Sequence, residues 1–243
     1  MIEARHLSKR FGAVQAVHEV SFVAADGRIT GLLGPNGAGK STTLRMLCTV
    51  LRADTGAALI DGIDVARDPL EARRRIGVLS HASGLYPRLT ARENIAYFGE
   101  LHGLSRAASF ARADELVARL ELGDFADRRA KGFSQGQKLK TALARALVHA
   151  PRNLVLDEPT NGLDVMAVRS LRRLLSDLRT AGHCILFSTH VMQEVSALCD
   201  DVVVIARGTV VAQGAPEALR SGTGQAGLED AFVQLIGSGE GLA

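Results

Sequence analysis

The chain has 243 residues, 47% of them hydrophobic, with a net charge of +3 and a pI near 9.0. That is enough for one large α/β domain, or for a domain with a subdomain. Aromatics at 4% with no Trp leave few stacking platforms for single-stranded nucleic acid, and the one dense basic run, Arg73-Arg74-Arg75, reads as a solvated helix end, so no nucleic-acid partner is expected.

The start, MIEARHLSKRFG, has no apolar signal core. The first sixty residues read as strands with turns. ITGLL (29–33) is a compact apolar run entering a glycine-rich loop, and a helix is predicted from Lys40 to about Leu51. AALIDG (57–62) reads as a strand ending in an Asp-Gly turn. From about 82 to 150 the pattern becomes mostly helical. Thr90 and Glu93 have capping-box spacing, Ser105 is placed to cap a second helix, and Ser134 and Gln137 repeat the box before Leu139, Leu143 and Leu147. After Pro151 the alternation of strand and helix resumes with NLVLD, a helix capped by Asp164, CILFST, DVVVIA and TVVAQG. A short tail, about 215–243, is glycine-rich at 222–227 and then helical through LEDAFVQLI. The alternation predicts a mostly parallel sheet covered on both faces, with a helical subdomain inserted between its strands.

Cys48, Cys184 and Cys199 have neither disulfide-framework nor metal-motif spacing and read as small core residues, which fits a reducing compartment. The longest apolar runs, such as VVVIA (202–206), fall far short of the roughly 20 residues a membrane helix needs.

The strongest signal is GPNGAGKST (34–42), which fits G-x-x-x-x-G-K-[ST] between an apolar strand and a helix. Gly34, Gly37 and Gly39 let the backbone pass close to phosphate. Past Pro35, which has no N–H of its own, the N–H groups of Asn36, Ala38 and the helix start through Thr42 form an anion nest. Lys40 suits the β- and γ-phosphates, and the Ser41 hydroxyl suits Mg²⁺. Six matched elements in this context exclude a plain glycine turn. The loop also rationalises VLDEP (155–159), where two adjacent carboxylates close an apolar strand. Asp157, at the end of a neighbouring strand, is placed to hold Mg²⁺ through its water shell, and Glu158 to orient or deprotonate the attacking water.

Taken together and in order, GPNGAGKST, FSQGQ, NLVLDEPTNGLD and STH resemble the ATP-binding cassette ATPases over essentially the whole chain. The resemblance implies a P-loop NTPase (RecA-like) core with an antiparallel β subdomain and a helical subdomain, ATP and Mg²⁺ as cofactors, and two nucleotides held between two cassettes, the second taken as another copy of this chain. It implies that Phe11 stacks on adenine. It implies that Ser134, Gly136 and Gln137 form a signature motif facing the partner's γ-phosphate, and that Asp164 crosses the interface. It makes His190 the switch histidine that holds γ-phosphate and water; taken alone, His190 reads as an ordinary buried or capping histidine. Two positions depart from the family pattern. His81 stands where the family has glutamine before the helical subdomain; a neutral imidazole there can accept a bond or bind metal, a protonated one repels Mg²⁺, and turnover is expected to rise with pH through its titration range. Gln135 replaces the signature's first central glycine, and its side chain is expected to point outward.

By this resemblance the chain is the ATPase subunit of an exporter, peripheral on the cytoplasmic face of the membrane and powering a separate transmembrane permease. GLYPRLTARENIAYFGELHGL (84–104) is most similar to sodium-efflux-type cassettes. The alternative is a cassette ATPase acting on DNA or the ribosome. A P-loop kinase would need neither FSQGQ nor Asp164.

Overall fold

Residues 1–80, 84–225 and 227–237 are described by a computed structural model. β1 (Ile2–Phe11) and β2 (Val14–Ala24) form an antiparallel pair, and β3 (Ile29–Leu33), wholly buried, runs into the loop 34–39. α1 (Lys40–Leu47) follows. It is shorter than the pattern predicts, because Thr49 turns left-handed (φ 62°) and the N–H groups of Val50 and Leu51 fold back onto the Arg45 carbonyl. β4 (Thr55–Ile60) pairs with β1, and β5 (Ile63–Asp64) pairs with β4 across the Asp61-Gly62 turn. α2 (Pro69–Arg74), capped by Asp68, precedes β6 (Ile76–Leu79).

The helical insertion consists of α3 (Ala91–Leu101), α4 (Arg106–Arg119) and α5 (Gln135–Leu147). Each begins at the cap its sequence advertises. Thr90 and Glu93 make a reciprocal capping box, Ser105 accepts from Ala108 N–H, and Ser134 and Gln137 make the second box. Such caps are each worth about 1 kcal/mol and fix where a helix points.

The core then resumes with β7 (Asn153–Asp157), α6 (Val165–Thr180), β8 (Cys184–Thr189), α7 (Met192–Leu198), β9 (Asp201–Ala206) and β10 (Thr209–Gly214). The tail holds α8 (Pro216–Thr223) and α9 (Leu228–Ile236). α8 went unread in the sequence because its end, Gly222-Thr223, runs into the glycine-rich stretch; Pro216 at its first turn starts it and Gly224 ends it left-handed.

Two sheets result. One is antiparallel, in the order β2-β1-β4-β5; the other is in the order β10-β9-β3-β8-β7-β6, parallel except for the β10 edge. Period-two alternation sorts the parallel strands between two cores. Leu154, Leu156, Ile185 and Phe187 face the helical insertion, while Val155 and Leu186 face α1 and the antiparallel sheet. Residues 157 and 188 continue the α1-facing row, which sets the chemistry at the strand ends. All three cysteine thiols are held up by burial, Cys48 to about 12 and Cys184 to about 11, as suits packing residues. No helix among the described residues is long and apolar enough to cross a membrane.

Candidate functional site

Loop 34–39 leaves the end of β3 and turns into α1, so the first N–H groups of α1 face the loop's concavity. Two of its glycines are demanded by geometry. A Cβ on Gly34 would lie 2.2 Å from the Ile205 carbonyl, and Gly39 caps α1 at φ 104° with the Ala16 carbonyl 2.5 Å from where a Cβ would sit. Lys40 is only 5% exposed, and its ammonium donates to the carbonyls of Gly34 (2.6 Å) and Pro35 (3.0 Å). Desolvation lowers its pKa, opposed by the charges of Glu158 and Asp157. Two carboxylates therefore face a cation already held in the loop.

Asp157 ends β7. Its Oδ1 accepts from Ser188 Oγ (2.6 Å) and from Ser41 Oγ (3.3 Å). The sequence reading placed Asp157 on the strand beside β3, but β8 lies between them. The contact with Ser41 survives because Asp157 is on the α1-facing row. Glu158 is the next residue, and its backbone turns left-handed (φ 48°), which breaks the alternation. Its N–H donates to Ser188 Oγ (3.0 Å), and its Oε1 sits 3.3 Å from His190 Nδ1. The two adjacent acids thus point to different partners, one to α1 and one to the end of β8. His190 is held by its neighbours: buried Thr189 donates to buried Glu194 (2.6 Å) and accepts from Val191 N–H (3.0 Å). Ser188 and the Thr189–Glu194 pair are site residues with no role assigned from the sequence; the STH run and the alternation of β8 were the signals available for Ser188.

The remaining candidates sit apart from this cluster. Asp164 caps α6 by accepting from Ala167 N–H (2.8 Å). Ser134 and Gln137 are engaged in the box that starts α5, and Gln135 is exposed at the mouth of a cleft it shares with Asp157, Glu158 and Asn161. Phe11, at the end of β1, is 49% exposed, with Lys9 Nζ 5.7 Å from the ring centroid. Within one chain, therefore, Ser134, Gly136 and Asp164 belong to helix starts rather than to the loop-and-carboxylate cluster. His81 lies outside the described residues.

The donor set fits a nucleoside triphosphate with a hard cation. It offers backbone N–H groups, a buried ammonium, and hydroxyl and carboxylate oxygens 3.3 Å apart that can share one oxygen-coordinated ion. The sequence profile describing ABC transporters matches residues 17–161, the stretch from β2 through Asn161. The chain belongs to the ABC transporter family. ABC transporter ATP-binding protein NatA of Bacillus subtilis is 44% identical over 224 residues, 90% of this chain and 91% of that one. A Nod factor export ATP-binding protein I of Burkholderia lata is 42% identical over 218 residues, covering 90% of this chain and 72% of the relative. Among solved structures, a dimeric ATP-binding cassette in a post-hydrolysis state, bound to ADP and Pi, superimposes with a TM-score of 0.80 at 26% identity, over 88% of this chain and 98% of that one. The chain is the ATP-binding subunit of an ABC transporter, and it is an ATPase.

Proposed function

We propose that this subunit hydrolyses ATP between two copies of itself and drives export through a separate transmembrane permease, from a peripheral position on the cytoplasmic face of the membrane. The observation that carries this reading is the division of labour at the end of β7, with Asp157 turned to Ser41 and Glu158 to His190. Loop residues Gly34 to Thr42 cradle the phosphates, with Lys40 as their counter-charge, and Phe11 offers its exposed ring to the adenine. Ser41 and Asp157 would hold Mg²⁺; when bound, that ion supplies charge neutralisation across the β- and γ-phosphates. Glu158 orients and deprotonates water, and His190, anchored through Thr189, holds the water and the γ-phosphate side in register. His81 is kept in the proposal as a further metal-side residue, from its place in the sequence alone.

Ser134, Gly136, Gln137 and Asp164 act across the dimer. A Cβ on Gly136 would meet Ala167 at 3.7 Å and Ser134 Oγ at 4.0 Å, ordinary contacts. Glycine in a helix interior costs roughly 0.5–1 kcal/mol relative to alanine, so helix stability gives no reason for Gly136 in the first turn of α5, and something outside the chain would account for it. An anion from the partner's site, seated on the N-terminus of α5, is such a thing.

Sodium is the cargo to test first, from the resemblance of residues 84–104 to sodium-efflux-type cassettes. The direct test recovers tagged Glu158→Gln from gently solubilised cells in ATP and Mg²⁺ and identifies what comes with it by mass spectrometry. A multi-helix membrane protein is the expected result. Ribosomes or DNA-bound proteins without a membrane partner would replace the exporter reading.

A further inference from the structure

Ser188 is fully buried at the end of β8 and has no part in the proposed chemistry. In the parallel register it lies opposite Asp157, so both side chains emerge on the row facing α1. Its one hydroxyl makes two bonds: it donates to Asp157 Oδ1 at 2.6 Å and accepts the Glu158 N–H at 3.0 Å. The second bond is made where Glu158 adopts φ 48°, a conformation that a residue with a Cβ adopts only at a cost. Without that turn, strand alternation would send the Glu158 side chain toward the helical insertion. With it, Glu158 Oε1 reaches His190.

We infer that Ser188 is a positioning residue whose single hydroxyl assigns the two adjacent carboxylates their separate tasks, fixing Asp157 toward Ser41 and turning Glu158 toward His190. The inference rests on the proposed roles of Asp157 and Glu158. A hydroxyl is the group that fits, because the position needs a donor for a carboxylate and an acceptor for a peptide N–H at the same point. Alanine there would leave the Glu158 N–H without this acceptor and Asp157 Oδ1 with only the longer contact to Ser41. Cysteine is close in size but a weak donor and acceptor, so it separates volume from hydrogen bonding. Threonine keeps the hydroxyl.

The test uses the purified full chain as wild type, Ser188→Ala, Ser188→Cys, Ser188→Thr and Glu158→Gln. Three quantities are measured: ATP affinity in EDTA, the Mg²⁺ concentration giving half-maximal thermal protection of the ATP-bound protein, and kcat. For Ala and Cys, metal-free affinity is expected within about twofold of wild type, the Mg²⁺ requirement raised at least about fivefold, and kcat down about tenfold or more, as loss of a hydrogen bond to a charged group implies. Threonine restores both Mg²⁺ requirement and kcat. The inference is overturned if Ala and Cys match wild type in the Mg²⁺ titration and in turnover. It is equally overturned if Ala, Cys and Thr are all impaired alike with weakened metal-free affinity, since the effect would then be packing. Should Ala fail to fold, Cys and Thr carry the comparison. Normal turnover in Glu158→Gln would remove the proposed base while leaving the Ser188 effect on Mg²⁺ measurable. Normal Ser188→Ala beside an inactive Glu158→Gln removes only the present inference.

Discussion

Gly136→Asp separates what the chain needs to fold from what it needs to act. Position 136 lies in the first turn of α5, and the space around a new Cβ is open to 3.7 Å. Removing the glycine returns up to roughly 0.5–1 kcal/mol of helix stability, and a carboxylate at a helix N-terminus adds about 0.3–1 kcal/mol through the macrodipole. The isolated chain is therefore expected to keep or raise its melting temperature, by about 2–4 °C per kcal/mol for a protein of this size. Across the proposed dimer the sign reverses. A carboxylate about 4 Å from a phosphate oxygen costs on the order of 4 kcal/mol at an effective dielectric of 20, about a thousandfold in affinity. The assay pairs calorimetry of the nucleotide-free chain with light scattering in ATP, in a Glu158→Gln background. A stabilised chain that no longer dimerises supports the placement. A destabilised chain, or one that dimerises normally, refutes the argument that Gly136 is reserved for a partner.

Lys40→Ala is expected to weaken ATP binding at least about tenfold by isothermal titration, with little loss of fold stability, because burial already disfavours the charged ammonium. His149 supplies a pH test away from the site. Burial and then the neighbouring His102, stacked at 3.6 Å, push its pKa down to about 4, against a weaker opposing bond to the Ile76 carbonyl. The unfolded chain takes up this proton first, near pH 6.5, so its contribution is present above that pH and is lost as pH falls toward 4, by at most about 3 kcal/mol. Urea melts at pH 7 and 4.5 should show a smaller pH difference in His149→Gln than in wild type; an equal difference would assign the acid sensitivity elsewhere.

What could be read from the sequence follows from how local each signal is. Caps at Thr90, Ser105, Ser134 and Asp164 are written within three residues of the bonds they make, and each is present in the structure. The loop 34–42 is equally local. The end of α1 was missed because a left-handed Thr49 carries no compositional mark. The placement of β8 between β3 and β7 is a long-range fact, and so is everything that depends on it: the Ser188 hydroxyl between two carboxylates, and the meeting of Glu158 with His190. The left-handed turn at Glu158 is local in geometry but needs the Ser188 acceptor to be understood.

The central claim is that Glu158 performs the chemistry while Asp157, Lys40 and the loop hold the nucleotide. Its most direct measurement is ATP turnover and oligomeric state of Glu158→Gln in ATP and Mg²⁺, beside wild type. Unchanged ATP affinity, turnover lowered by about 10²–10⁴ and accumulation of a stable dimer are expected. Turnover equal to wild type, with no dimer accumulating, would contradict it.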